Sequence, residues 1–332
     1  MFVIAFLVII ISSFLFVYLL NNFFKIPKVV ALILFGILCG ITPFREVILQ
    51  NENIIMTLGF FGLFFLLFLA GLESSFKNLE KEEKDSIWIG IYSLVFPLII
   101  GFIISKFVLN FDLIASLVIA ICLSFTAEAT KVEELMELGK LKTKIGSAMV
   151  GAGFIDDTIG ILLFSVLLFS LGQFYFIESM VLILGVLFFI IGILLHKFAR
   201  EHHITKKLEV GGNNIFLPFF FVSMGLAFDF SHFVISPLVI IVIIMTAIAG
   251  KLVGALLARP HLKQISYKQL YLIGWGMNAR GAVELAITLI AFEAGLISST
   301  IYSALVFMAL ITTIIFPYII SRLIVKNPSI MD

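Results

Sequence analysis

Six ionisable side chains lie in stretches that are otherwise apolar enough to cross a membrane. They are Glu128, Asp156, Asp157, Lys251, Arg280 and Glu284. Hydrocarbon penalises such a group by at least about 2.5 kcal/mol, so groups kept at that depth are candidates for function. Their formal charges sum to −2. A net-negative site with basic partners suits a cation, or a proton in its place, better than an anion.

The adjacent carboxylates Asp156 and Asp157 follow the small residues Gly151-Ala152-Gly153, which allow close approach of helices. Consecutive helical residues point about 100° apart, so the two carboxylates cannot have the same role. We expect one to face a water-filled cavity and the other a neighbouring helix, unless both are only salt-bridged inside the bundle. Lys251 either pairs with Asp156 or extends toward the cytoplasmic surface.

Two helices are predicted to be interrupted in the middle of their spans. In the first, apolar sequence gives way after Thr126 to a polar half that contains Glu128 and Lys131. In the second, glycines and polar groups occupy the middle, in Gly274-Trp275-Gly276-Met277-Asn278-Ala279-Arg280-Gly281. Interrupted helices expose carbonyls and helix ends that bind or neutralise ions. A simple kink in a packed bundle is the alternative reading.

The whole chain has the composition of a multi-pass membrane protein. Its 332 residues are 61% hydrophobic and 13% charged, and the mean hydropathy is +1.19, which excludes a soluble globule and a disordered chain. The net charge of +1 gives no reason to expect a nucleic-acid partner. Cys39 and Cys122 lie in apolar runs, so neither disulfides nor zinc are indicated. Gly151-x-Gly153 lacks the third glycine of a dinucleotide loop, and no cofactor is expected.

Apolar runs long enough to cross a bilayer, about 20 residues each, predict about eleven transmembrane helices. They lie at about 1–20, 28–43, 54–72, 87–109, 113–138, 144–171, 174–196, 213–228, 235–258, 268–292 and 299–324. The longest polar connection, about 197–214, is too short to fold alone. We therefore expect a single transmembrane transporter domain over 1–332, with no soluble regulatory domain.

Lysine and arginine segregate between alternate loops. Of the 22, eighteen, including Lys131, fall in one set of loops; the other set holds only Arg45 and Lys106, and Lys251 and Arg280 lie within helices. Cytoplasmic loops retain positive charge. The pattern predicts a multi-pass protein of the cell (inner) membrane with its N-terminus outside and its C-terminus in the cytoplasm.

Several motifs follow one another in a fixed order along nearly the whole chain. They are Ile26-Pro27, Leu34-Phe35-Gly36-Ile37-Leu38-Cys39-Gly40, Leu67-Phe68-Leu69-Ala70-Gly71-Leu72-Glu73, Glu134-Leu135-Met136-Glu137-Leu138-Gly139-Lys140-Leu141, Asp156-Asp157, Pro218-Phe219-Phe220-Phe221-Val222-Ser223-Met224-Gly225-Leu226, Lys251 and Met277-Asn278-Ala279-Arg280-Gly281-Ala282-Val283-Glu284-Leu285. As an ordered set they resemble the monovalent cation:proton antiporter family 2 of the sodium/hydrogen exchanger-like superfamily, in particular Kef-type membrane domains.

The resemblance implies an all-α, inverted-repeat fold in which two discontinuous helices cross. Core elements at about 54–171 and 213–324 would stand beside a dimerisation domain, and the protein would form a homodimer in the lipid bilayer. An acidic pair such as this one is associated in the family with electrogenic exchange.

The resemblance also implies roles for individual residues. Asp157 would be the ion- and proton-binding carboxylate that binds the transported Na⁺, with Asp156 as its neighbour and Lys251 as the lysine that pairs with it. Thr126 and Arg280 would lie at the crossing of the two broken helices.

The chain departs from the family pattern in three respects. Two helices at the start of the second repeat are missing, and there is no nucleotide-binding regulatory domain of the Kef kind. Glu128 stands where a small or hydroxyl residue is usual. It either forms an i, i+3 ion pair with Lys131 or is an additional proton or cation ligand.

The predicted activity is secondary antiport of protons for a monovalent cation, Na⁺ first and K⁺ or Li⁺ next, through competition for Asp157. No enzymatic activity is expected. Alternatives are a cation channel or a cation-coupled symporter on the same scaffold, and a degenerate relative that does not transport. An intramembrane aspartyl protease is disfavoured, because its aspartates converge from two helices whereas Asp156 and Asp157 are adjacent on one.

Overall fold

The computed structural model describes residues 2–24, 26–41, 52–73, 84–171, 218–228, 237–262 and 264–331, together with 184, 187, 188, 190–192, 194 and 195. Its regular structure in these ranges is helical. The helices are α1 (Phe2–Phe24), α2 (Lys28–Ile41), α3 (Glu52–Glu73), α4 (Lys84–Ile103), α5 (Leu113–Ser124), α6 (Glu128–Glu137), α7 (Lys144–Leu171), α8 (218–226), α9 (Pro237–Leu257), α10 (Tyr267–Gly276), α11 (Ala282–Glu293) and α12 (Ser299–Lys326). A π-helical turn, Ile104–Val108, extends α4, and short 3₁₀ turns follow α9 and α12.

Both interruptions that the sequence predicts are present. The predicted helix at 113–138 is divided into α5 and α6, and the one at 268–292 into α10 and α11. The predicted helix at 174–196 is described only in part, and all of 197–214 lies outside the described residues. The number of about eleven membrane helices therefore stays a prediction.

The chain forms two compact units. The first comprises Met1–Ser75 and Ser179–Phe228, and the second Phe76–Glu178 and Asp229–Asp332. The single transporter domain, with core elements at about 54–171 and 213–324, stays a prediction.

In the first unit, α2 and α8 touch at the level of their backbones. A Cβ added at Gly36 would lie 2.3 Å from the carbonyl oxygen of Val222, and one at Gly225 would lie 2.3 Å from that of Ile33. Two of the motifs that carry the family resemblance thus meet here, and their glycines permit that contact.

In the second unit, α4 brings α7 and α9 together. A Cβ at Gly90 of α4 would lie 2.8 Å from the carbonyl oxygen of Ala152 in α7. On α9, a Cβ at Gly250 would lie 3.1 Å from the Cα of Pro97, and Gly254 is equally close to α4 one turn later. Because small residues let the backbones approach, α4 fixes the positions of the two helices that carry Asp156 and Lys251.

Four stretches in the described residues are long and apolar enough to cross a membrane: Lys84–Val108, Lys144–Leu171, Pro237–His261 and Ser299–Lys326. Their outer faces expose large apolar side chains such as Phe107, Phe169 and Leu238. A surface of that kind is stable against lipid and unfavourable in water.

Candidate ion-binding site

Two extended segments, one within each broken helix, lie against each other in the second unit. α5 ends at Ser124, and the chain is extended from Phe125 to Ala127 before α6 begins. The amide of Ala127 donates to the carbonyl of Ala279 at 2.8 Å, which joins this segment to the one between α10 and α11. Gly281 is needed for the approach, because a Cβ there would lie 2.7 Å from the Cβ of Ala127. Two negative C-terminal and two positive N-terminal helix ends therefore meet near one point.

Arg280 caps the C-terminal end of α5. Its Nη1 donates to the carbonyls of Cys122 at 3.1 Å and Phe125 at 2.8 Å, and its Nη2 donates to that of Leu123 at 3.1 Å. Cys122 and Leu123 belong to the last turn of α5, where carbonyls lack the usual i+4 amide partner, and Phe125 is the first residue after the helix. The hydroxyl of Thr313 on α12 donates to the carbonyl of Arg280 at 2.9 Å and holds this residue in place.

Lys251 on α9 pairs with Asp156 on α7. The ammonium lies 2.7 Å from Oδ2 of Asp156, and both side chains are 0% exposed. The same ammonium donates to the carbonyl of Ser124 and, at 2.9 Å, to the hydroxyl of Thr126. Of the two readings of Lys251, the structure therefore has the pairing with Asp156 and not extension to the surface.

Thr126 connects this ion pair to the second broken helix. Its hydroxyl lies 2.7 Å from Oδ2 of Asp156 and 3.1 Å from the carbonyl of Met277, where α10 ends. A hydroxyl has a single proton, so it donates to one of these oxygens at a time while it accepts from Lys251. The hydroxyl can thus exchange one acceptor for the other when the charge on Asp156 changes.

Asp156 and Asp157 have different surroundings. Asp156 is fully buried, and its Oδ1 has no hydrogen-bond partner among the described residues. Asp157 is partly accessible, and its Oδ1 accepts from the amide of Thr126 at 3.3 Å. The sequence predicted that the two carboxylates would face different environments, and the structure agrees.

Glu284 lies in the first turn of α11 and is 1% exposed. Its Oε2 is 3.5 Å from Nη1 of Arg280, and its Oε1 has no partner within the described part of the chain. Glu128 begins α6, but its side chain lies outside the described residues. The proposed ion pair between Glu128 and Lys131, and the alternative ligand role of Glu128, remain predictions.

The placement of Lys131 in a cytoplasmic loop is wrong. Its side chain is 0% exposed, and its Nζ donates to the carbonyl of Met149 at 2.8 Å and lies 3.7 Å from the sulfur of Met277. α6 begins beside the contact between Ala127 and Ala279, and the face of α6 that carries Lys131 and Leu135 is buried. A signal was present, because Lys131 lies four residues before the buried Leu135 on the same helical face. Adding Lys131 to the six ionisable side chains of the apolar stretches changes their summed formal charge from −2 to −1.

The second unit thus brings together Thr126, Asp156, Asp157, Lys251 and Arg280, with Glu284 beyond Arg280. Carboxylate, hydroxyl and backbone carbonyl oxygens are the ligands that hard cations prefer. Among the described residues, no group of three His, Cys, Asp or Glu side chains is arranged to hold a metal ion. These oxygens suit a cation that binds reversibly, and the ammonium of Lys251 is the positive charge that is present without it.

The family model described as "Sodium/hydrogen exchanger, transmembrane" matches residues 9–198 and 183–326. The chain belongs to the sodium/hydrogen exchanger family. This confirms the family resemblance and makes the chain a multi-pass membrane protein of a family of transporters rather than enzymes.

Named relatives of the exchanger family align along most of the chain. A Na⁺/H⁺ antiporter of Enterococcus hirae is 29% identical over 90% of this chain and 91% of its own length. The Na⁺/H⁺-K⁺ antiporter GerN of Bacillus cereus is 24% identical over 88% of each chain. The E. hirae alignment runs over 357 positions but covers only 90% of this chain, so the relative has some tens of residues with no counterpart here. The absence of two helices from the second repeat stays a prediction.

A solved exchanger structure has the same fold. The sodium proton antiporter MjNhaP1 of Methanocaldococcus jannaschii superposes with a TM-score of 0.67 over 97% of this chain and 96% of its own, at 15% identity. The all-helical architecture is therefore that of an exchanger.

Proposed function

We propose that this protein is a secondary antiporter that exchanges protons for a monovalent cation, with Na⁺ as the first candidate. The observation that carries the proposal is the partly accessible Asp157 beside the buried Asp156–Lys251 pair, where two broken helices meet. Proton and cation would compete for Asp157. Because they exclude each other, each passage would exchange one for the other.

The names of the relatives support this assignment. The aligned proteins of E. hirae and B. cereus are named as Na⁺/H⁺ and Na⁺/H⁺-K⁺ antiporters. The second name is a reason to keep K⁺ among the candidate substrates, beside Na⁺ and Li⁺.

Asp156 and Lys251 would couple a second charge movement to the cycle. When a cation engages the carboxylates, Asp156 would release Lys251. The ammonium has other acceptors within reach, the carbonyl of Ser124 and the hydroxyl of Thr126. It can therefore leave Asp156 and keep these two hydrogen bonds. Movement of the core elements would then expose the site to the other side of the membrane.

The setting of this activity is part of the proposal. We expect the protein to lie in the cell (inner) membrane with its N-terminus outside and its C-terminus in the cytoplasm, because positive loops remain cytoplasmic. We also expect it to act as a homodimer.

The test is proton movement in everted membrane vesicles after addition of Na⁺, Li⁺ or K⁺, with choline as the control cation. Asp157→Asn should abolish the exchange, because the amide neither takes up a proton nor carries a negative charge that attracts the cation. Asp85→Asn is the matched control, since Asp85 lies in the first turn of α4, away from the site, and should retain exchange. Full exchange by Asp157→Asn would refute the assignment.

The same vesicles separate the alternatives. Cation flux without proton movement would indicate a channel or a symporter on this scaffold. Absence of flux with all three cations in the unmodified protein would indicate a relative that does not transport, for which the missing residues relative to the E. hirae protein are a reason.

A further inference from the structure

Glu284 is a buried carboxyl that has no role in the exchange described so far. It is 1% exposed, and its Oε1 has no hydrogen-bond partner among the described residues. Within the described part of the chain its one ion pair is with Arg280, at 3.5 Å, whereas a charge-assisted N–H···O bond measures about 2.7–2.9 Å.

Arg280 is committed elsewhere. Its two terminal nitrogens donate to the carbonyls of Cys122, Leu123 and Phe125 at 2.8 to 3.1 Å. These three bonds place the guanidinium charge on the negative end of α5. The longer contact with Glu284 is therefore a weak fourth interaction of a cation that already has a function.

An ionised Glu284 would be poorly compensated in this position. A buried carboxylate without full hydrogen bonding costs far more than a neutral acid, and in practice such a group takes up a proton. The protonated form has a single O–H group that needs a hydrogen-bond acceptor, and it carries no charge whose hydration is lost on burial. The observed contacts fit a protonated Glu284 better than an ionised one.

We propose that Glu284 is a second proton-binding group of the transporter, protonated while Lys251 pairs with Asp156 and ionised when a cation occupies Asp157. This inference rests on the proposed antiport. It adds a second proton-binding site, at a carboxyl group in contact with Arg280.

The charged and titratable neighbours of Glu284 explain the link to the cation. Besides Arg280, they are Cys122 on α5, Asp156 on α7 and Lys251 on α9. On α12 the buried titratable residue is Tyr302, which stacks on Phe292 toward the other end of α11. A cation at Asp157 adds positive charge and frees that of Lys251. Both changes favour the ionised Glu284, so its proton is released.

The test counts protons released when Na⁺ binds to the purified, full-length protein. Calorimetric titration with NaCl in buffers of different ionisation enthalpy gives that number directly. Glu284→Gln should release fewer protons per Na⁺ than the unmodified protein, by up to one, at pH values where Glu284 starts protonated. Glu293→Gln is the matched control, because Glu293 is an exposed residue at the end of the same helix, and it should release the unmodified number.

An independent readout is infrared difference spectroscopy across a pH titration. In the unmodified protein, adding Na⁺ should reduce the carbonyl-stretch absorption of protonated carboxylic acids, with contributions from Asp157 and from Glu284. In Glu284→Gln the Glu284 contribution should be missing and the Asp157 contribution should remain. If Glu284→Gln does not fold, Glu284→Asp serves instead: it keeps a carboxyl at a shifted position, so the band should persist at a different frequency.

An unchanged proton count in a folded Glu284→Gln protein, or an unchanged band in either variant, would overturn the inference. Failure of the antiport proposal would look different. The unmodified protein would then bind no Na⁺ and move no protons in vesicles, whereas the pH-dependent band of Glu284 would still be testable.

Discussion

Loss of the lysine at the centre of the site is the perturbation with the most direct energetic consequence. Lys251→Met keeps most of the length of the side chain and removes its charge. Asp156 would then be a fully buried carboxylate that retains the hydroxyl of Thr126 as a donor. Removing one partner of a buried ion pair typically costs about 3–5 kcal/mol, because the other charge is left uncompensated.

The structure puts Lys251→Met toward the upper half of that range. Both side chains are 0% exposed and the N–O distance is 2.7 Å, so water cannot replace the ammonium. Lys251 also donates to the carbonyl of Ser124 at the end of α5, and an unmade buried hydrogen bond adds about 1–3 kcal/mol. We expect the free energy of unfolding to fall by about 5 kcal/mol at neutral pH.

The assay is reversible unfolding in mixed micelles by titration with SDS. Lys268→Met is the matched control, since Lys268 is exposed in the first turn of α10, and it should change the free energy of unfolding by no more than about 0.5 kcal/mol. Adding Asp156→Asn to Lys251→Met removes the stranded charge and should restore part of the loss. A loss below about 1 kcal/mol for Lys251→Met, or strict additivity in the double variant, would show that the ion pair does not stabilise the site in this way.

Two further predictions concern the meeting of the broken helices and the misassigned lysine. Gly281→Ala would place a Cβ 2.7 Å from that of Ala127, so it should lower the free energy of unfolding by about 1–3 kcal/mol and reduce exchange in vesicles; normal values for both would show that the segments are farther apart. Lys131→Ala should cost about 2–5 kcal/mol in SDS unfolding, because truncating a fully buried side chain leaves a cavity. The exposed Lys142 provides the control, and an equally small effect of both alanine changes would contradict the burial of Lys131.

The sequence predicted those parts of the site that depend on the type of side chain. Polar residues and glycines in apolar spans indicated both interruptions, and the charges of Asp156 and Lys251 in such spans indicated a buried pair. The target of Arg280 could not be predicted in this way. It binds backbone carbonyls of α5, and every residue has a carbonyl whatever its type.

Lys131 shows a different limit. A lysine among glutamates is typical of a solvated helix, so the sequence predicted that Lys131 lies with the positive charges of the cytoplasmic loops. The burial of Lys131 depends on the position of the start of α6 in the folded protein. α6 begins next to the contact between Ala127 and Ala279, and that contact joins segments that are far apart in the sequence. Its spacing from Leu135 was the local signal, but one apolar residue four positions away cannot outweigh the surrounding charges.

The contacts of α4 limit how a cation could reach the acidic pair. Gly250, which precedes Lys251, lies against Pro97, and a Cβ at Gly90 of the same helix would lie 3.0 Å from the Cβ of Ile155, which precedes Asp156. The backbones of α7 and α9 are thus held within a fixed distance of one another at the level of the ion pair. Opening the pair by separating these helices would break both backbone contacts, whereas rotation about the four-carbon chain of Lys251 breaks neither. In the proposed exchange cycle the side chain of Lys251 would therefore move, while the contacts of α4 would hold α7 and α9 in place.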